Sequence, residues 1–104
     1  MSFNGNEGEF VTLNEASRWT ANYRNTIQPG DVISEFLGKE KILELLNQEG
    51  CVGIRFYYAI NDQGEKILVL VGADSNENDM ENGLLLENGN ICPPFCPKKN
   101  VLNS

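Results

Sequence analysis

Cys51, Cys92 and Cys96 are the side chains of this chain with the clearest capacity for covalent or metal chemistry. The last two stand four apart in Cys92-Pro93-Pro94-Phe95-Cys96, a C-x-x-x-C spacing. Read functionally, they are a redox pair or part of a metal site. A redox pair ordinarily takes the form C-x-x-C at a helix N-terminus, where the helix dipole lowers the thiol pKa; a proline-flanked C-x-x-x-C lacks that helix. Zinc ordinarily takes four Cys or His ligands. The candidate metal ligands Cys51, Cys92 and Cys96 would therefore need a carboxylate, a water or a second subunit to complete a site. The plainer reading makes Cys51 a small packing residue and the other two a structural clip or idle thiols.

Other chemistry is thin. The chain has no histidine, which removes Ser-His-Asp and Cys-His catalysis and His-ligated zinc. Neither GxGxxG nor GxxxxGK[ST] occurs. The 15 acidic residues always allow some carboxylate pair, but none is marked by an apolar setting that would raise a pKa. Asp74-x-Asn76-x-Asn78 matches the first half of a calcium loop, and the match then fails: Asp79 stands where glycine belongs and Leu85 where glutamate belongs. A solvated turn is the better reading. No catalytic residue and no cofactor is expected.

The elements that hold these residues can be placed by pattern. Residues 1–10 are polar and aperiodic and read as a flexible tail. Thr12-Leu13-Asn14-Glu15 is a capping box. Leu13, Ala16, Thr20, Tyr23 and Ile27, with Trp19 beside them, then form one apolar stripe on a helix, stopped at Gln28-Pro29-Gly30. Asp31 is expected to cap a second helical stretch over 32–37. A third, over 39–48, turns Ile42, Leu43, Leu45 and Leu46 inward and closes at Gly50.

Cys51–Ile60 and Ile67–Ala73, around Asn61-Asp62-Gln63-Gly64, predict a β-hairpin. Setting Ile60 opposite Glu65 makes one face wholly apolar, with Tyr58 against Ile67, Phe56 against Val69, Ile54 against Val71 and Val52 against Ala73. The same register groups Arg55, Tyr57, Leu68 and Leu70 on the other face. Two leucines, a tyrosine and an arginine there call for a cover, supplied by this chain or by another molecule. Because aromatics and arginine anchor interfaces, Arg55, Tyr57, Leu68 and Leu70 are the candidate interface residues; Trp19, Tyr23, Arg24 and Tyr58 could add stacking, though Trp19 and Tyr58 also suit a core. Leu84–Leu86 is a candidate third strand. The prolines after Cys92 predict an extended, partly polyproline path, and residues 98–104 a frayed end.

At 104 residues the length suits one domain, here 11–97 between the two tails. A formal charge of −7 repels phosphate backbones and anionic lipid, and the basic residues are scattered, with only Lys98 and Lys99 adjacent. No nucleic acid and no membrane partner is expected. The N-terminal residues do not read as a secretory signal, and no apolar run approaches the roughly 20 residues that span a bilayer. The cytoplasm is the expected compartment.

Taken together, Gly38-Lys39-Glu40, the run Gly50-Cys51-Val52-Gly53-Ile54-Arg55-Phe56-Tyr57-Tyr58, the Val71-Gly72-x-Asp74 strand exit and Cys92-Pro93-Pro94-x-Cys96 resemble a group of small bacterial proteins with no assigned activity. The likeness covers residues 38–97. It implies a bacterial source and carries over no functional residue.

The expected fold is α+β, with N-terminal helices packed on one face of a small antiparallel sheet built on a central β-hairpin. The expected function is a non-enzymatic protein–protein interaction module that docks to another protein or to itself as a homo-oligomer. The alternative is a thiol-redox or metal-binding protein using the C-terminal cysteine pair.

Overall fold

The computed structural model describes residues 2–104; Met1, at the start of the expected tail, lies outside them. The fold is α+β. Among the described residues two helices precede and punctuate two small antiparallel sheets, one pairing β1 with β5 and the other ordered β2-β3-β4. The elements are α1 (Leu13–Arg24), β1 (Ser34–Phe36), α2 (Lys39–Leu46), β2 (Gly53–Ile60), β3 (Lys66–Ala73), β4 (Leu85–Leu86) and β5 (Asn90–Cys92).

The capping box opens α1 as its residue pattern requires. The Glu15 N–H donates to Thr12 Oγ1 at 3.1 Å and the Thr12 N–H donates back to Glu15 Oε1 at 3.4 Å. The helix stops at Arg24, short of Ile27, where Asn25 caps it and the Thr26 hydroxyl donates to the Tyr23 carbonyl. No side chain of α1 is buried. In α2 the buried residue is Leu45, 1% exposed; Leu43 and Leu46, expected inward, are 44% and 39% exposed, because this short helix has only one turn facing the sheet. Gln48 closes this helix: its amide donates to the Leu45 carbonyl and its carbonyl accepts the Leu84 N–H, both at 2.9 Å. One side chain thus ends α2 and starts the approach to β4.

The second helical stretch expected over 32–37 is a strand instead. β1 pairs with β5, Ser34 opposite Cys92 and Phe36 opposite Asn90. Helix propensity is a weak prior that a long-range pairing overrides, and here Glu35 adds a reason. Its carboxylate accepts the Leu68 N–H at 2.8 Å and the Gly89 N–H at 3.2 Å, fastening the small sheet to the edge of β3. At Gly89 a Cβ would lie 2.4 Å from the Phe36 carbonyl oxygen, so only glycine allows this approach.

The central hairpin forms, but one residue out of the expected register. Ile60 faces Lys66, Tyr58 faces Leu68, Phe56 faces Leu70 and Arg55 faces Val71. The turn decides it. Asn61 donates its N–H to the Glu65 carbonyl, Gly64 donates to the Asn61 carbonyl, and the Asn61 side-chain carbonyl accepts from Gln63 and Glu65 N–H groups. That three-residue loop needs a left-handed residue at its end, and Gly64 has φ +83°. Turn chemistry outweighed the apolar matching of side chains.

Side-chain alternation now puts Ile54, Phe56, Tyr58, Leu68, Leu70 and Gly72 on one face, with Arg55, Tyr57, Val69, Val71 and Ala73 on the other. Gln48, Cys51 and Met80 lie 3.0–3.2 Å from where a Gly72 Cβ would stand, so α2 and its exit cover the Gly72 end of the first face. Leu70 is 1% exposed there. The other end of that face stays open: Phe56, Tyr58 and Ile60 are 55%, 93% and 72% exposed.

After β5 the chain does not take the extended polyproline path. The Cys92–Pro93 and Pro93–Pro94 peptide bonds are both cis, and the chain folds back with Phe95 N–H on the Ile91 carbonyl. The end segments make specific contacts. The Phe3 N–H donates to the Ser75 carbonyl, and the Arg24 guanidinium donates to the carbonyls of Leu102 and Ser104.

Candidate functional site

The four residues grouped by the expected register do not share a face. Leu68 and Leu70 lie on the α2 side of the hairpin, and Leu70 is fully buried in the core. Arg55 and Tyr57 lie on the opposite side and are engaged within the chain. An isolated bridge pairs Asp79 with Ala73, which sets Asp79 beside β3. From there its carboxylate reaches across to β2 and accepts hydrogen bonds from the Arg55 guanidinium and the Tyr57 hydroxyl. Arg55 also donates to the Glu77 carbonyl at 3.3 Å, and its guanidinium lies 5.6 Å from the Phe3 ring centroid. The cover that this face called for is therefore the chain's own N-terminal segment and its 74–80 loop.

Electrostatics within this cluster reinforce one another. The Tyr57 hydrogen bond, followed by the Arg55 guanidinium, holds the Asp79 carboxyl below its ordinary value. The hydrogen bond to Asp79 raises Tyr57 above its own, and Asp79 likewise raises Arg55. Every partner is in its resting protonation state at neutral pH, so the arrangement suits structural locking and offers no group poised to move a proton.

Two of the candidate metal ligands are bonded to each other. Cys92 and Cys96 form a disulfide with a Cα–Cα distance of 4.8 Å. Cys92 is buried, held in β5 opposite Ser34 of β1. Cys51 is a free thiol whose Sγ donates to the Gly53 carbonyl at 3.2 Å, with Gly72 close by. The three sulfurs thus do not form a common ligand set. Among the described residues no group of three or more His, Cys, Asp or Glu side chains could hold a metal ion. In the Asp74 loop the carboxylate is occupied locally, accepting the Asn76 and Asn78 N–H groups at 2.9 and 3.0 Å. It serves as a turn-former.

An open groove of about 810 Å³ lies at the distal end of the hairpin. Its floor is Tyr58, Ile60 and Leu68, with Ala59 and Ile67 at the strands. Its wall is β1 with Val32 and Ile33, together with Tyr23 from the end of α1. Lys66 stands at the rim, its Nζ 3.5 Å from the Tyr23 hydroxyl and 5.8 Å from that ring's centroid. The lining is almost entirely apolar, and Glu35, its one acid, already accepts two backbone N–H groups.

Tyr58 and Tyr23 are legible in the sequence as aromatic candidates, whereas Ile60, Lys66 and the β1 wall are not, because residues 32–37 carry a helix pattern. Nor is Asp79, whose only sequence signal is an acid placed shortly beyond a strand whose neighbour carries an arginine.

Fold and site together define a small α+β domain with a locked polar face and an open apolar groove. Among the described residues no helix is long and apolar enough to cross a membrane. Comparison with protein-family models, with characterised proteins and with solved structures yields no match.

Proposed function

We propose that this protein is a non-enzymatic docking module that binds a protein chain in the groove between β1, the end of α1 and the distal half of the β2–β3 hairpin. The carrying observation is the exposure of Tyr58 and Ile60, 93% and 72%, on the floor of an apolar groove. Large contiguous apolar surface on a small acidic domain marks an interaction site, and a concave floor with aromatic anchors is the usual form of one. The contact surface is thus Tyr58, Ile60, Leu68 and Tyr23; of the four residues grouped by the expected register, Leu68 alone lines the groove, and Arg55, Tyr57 and Leu70 lie outside it.

The test is site-specific photo-crosslinking in the producing cell. A photoreactive residue at Tyr58 should capture a discrete protein product, and one at Glu81, exposed in the far loop, should not. Equal labelling at the two positions, or none at Tyr58, overturns the reading.

A cytoplasmic setting would keep Cys92 and Cys96 reduced, whereas the closed pair favours an oxidising one. Alkylating free thiols at the moment of lysis separates the two: one modified cysteine per chain supports the oxidising compartment, and three support the cytoplasm.

A further inference from the structure

We propose that β2 is the pairing edge of a symmetric dimer, adding antiparallel to β2 of a second copy; this goes beyond the docking reading above, since it uses the free edge beside the groove rather than the groove itself. The first ground is an asymmetry between the two edges of the β2-β3-β4 sheet. On β3, each outward-facing residue from Leu68 to Gly72 has a partner: Leu68 donates to Glu35, Leu70 pairs with Leu86, and the Gly72 carbonyl accepts the Met80 N–H at 2.8 Å. On β2, the Asn61–Glu65 closure directs the odd-numbered residues at β3. The N–H and C=O groups of Ile54, Phe56, Tyr58 and Ile60 therefore point away from β3, and among the described residues β2 has no second neighbour.

Edges left open in this way are normally guarded by lysine, proline or short strand length. Ile54-Arg55-Phe56-Tyr57-Tyr58-Ala59-Ile60 has none of these. Its one charge, Arg55, projects to the other face and is paired with Asp79.

The second ground is self-complementarity. Centring a two-fold axis on Tyr57 sets Phe56 opposite Tyr58 of the second copy and Ile54 opposite Ile60, so one face is apolar and aromatic throughout, with no like charges facing. About eight backbone hydrogen bonds would close between the outward groups. The third ground is area. Side chains stand perpendicular to the sheet, so edge pairing covers only the flanks of the exposed Phe56, Tyr58 and Ile60 and the backbone between them, roughly 600–800 Å² in all, in the range of weak, transient interfaces. A weak, reversible dimer is what such an interface supports.

Two bodies of charge −7 meeting at an uncharged edge should associate more tightly as salt screens their repulsion. A partner held by charge would do the reverse. Sedimentation equilibrium of the full chain reads this directly. The expected result is a monomer–dimer equilibrium that tightens several-fold from low to high salt. Tyr58→Pro deletes one outward N–H without touching a β2–β3 bond, and Tyr58→Lys places a guard charge at the centre. Each should weaken dimerisation by about tenfold or more while leaving the circular dichroism unchanged; should the proline variant unfold, the lysine variant decides. A monomer at all concentrations, or a dimer indifferent to a folded Tyr58→Lys, overturns the proposal. A monomer whose Tyr58 crosslink captures a different protein sinks self-pairing and leaves the docking reading standing; a monomer with no crosslink sinks both.

Discussion

Asp79 takes hydrogen bonds from two residues of β2 while standing on the far side of β3, and that reach gives it a measurable signature. Its folded pKa lies below its ordinary value of 3.8. The contribution of the carboxylate is complete above the unfolded pKa and is lost as pH falls through the folded one. Tyr57 runs the other way: its folded pKa lies above 10.0, so its contribution is complete below that value and lost as pH rises through the folded one. Between the two limits the cluster is intact. Melting temperature plotted against pH should therefore fall on an acid limb that Asp79→Asn flattens. Tyr57→Phe removes the larger cause of the Asp79 shift, and carbon-13 titration of that carboxyl should show its pKa moving up toward the ordinary value. A titration curve unchanged by Tyr57→Phe would remove the hydroxyl from the account.

At the scale of elements, what the sequence made legible is what local signals control. The Thr12/Glu15 box and the hairpin itself are short-range features, and each appears where expected; α2 ends earlier than its pattern predicts, at Leu46 with Asn47 as its cap rather than at Gly50. Residues 32–37 carry a local helix pattern, but their strand exists only through a partner more than fifty positions away, which no local pattern carries. The register lies one residue from the best apolar match because the turn sets it, and Asn61 and Gly64 carry that turn chemistry in the sequence. That single slip exchanged the faces of Leu68 and Leu70 and with them the candidate interface.

Two substitutions probe the elements that reasoning missed. Glu35→Ala strands the Leu68 and Gly89 N–H groups and should cost about 1–3 kcal/mol in denaturant unfolding; Gly89→Ala, which must displace the Phe36 carbonyl, should cost about 1–3 kcal/mol. The Cys92–Cys96 link closes a very short loop, so Cys92→Ser with Cys96→Ser should lose only about 2 kcal/mol. Loss of partner capture in that double variant with its fold intact would instead return the thiol pair to a direct role.

For the whole molecule, the distribution of closed and open surface is the informative property. One face of the hairpin is locked by Phe3, Arg55, Tyr57 and Asp79, half of the other lies under α2, and one edge is sealed by Glu35, β4 and Met80. The remaining half-face and the outer edge of β2 adjoin, and both are apolar. A protein of this size exposes a Tyr at 93% and an Ile at 72% beside an unpaired strand at a cost in solubility, and a docked chain would offset it. The measurement that bears most directly on this is amide hydrogen exchange, residue by residue, in dilute and concentrated protein. Arg55 and Tyr57 amides, bonded to β3, should be slow at both concentrations, while Phe56 and Tyr58 amides should exchange freely when dilute and become protected when concentrated. Phe56 and Tyr58 amides that stay fast at every concentration, or that are already slow when dilute, would contradict the open pairing edge.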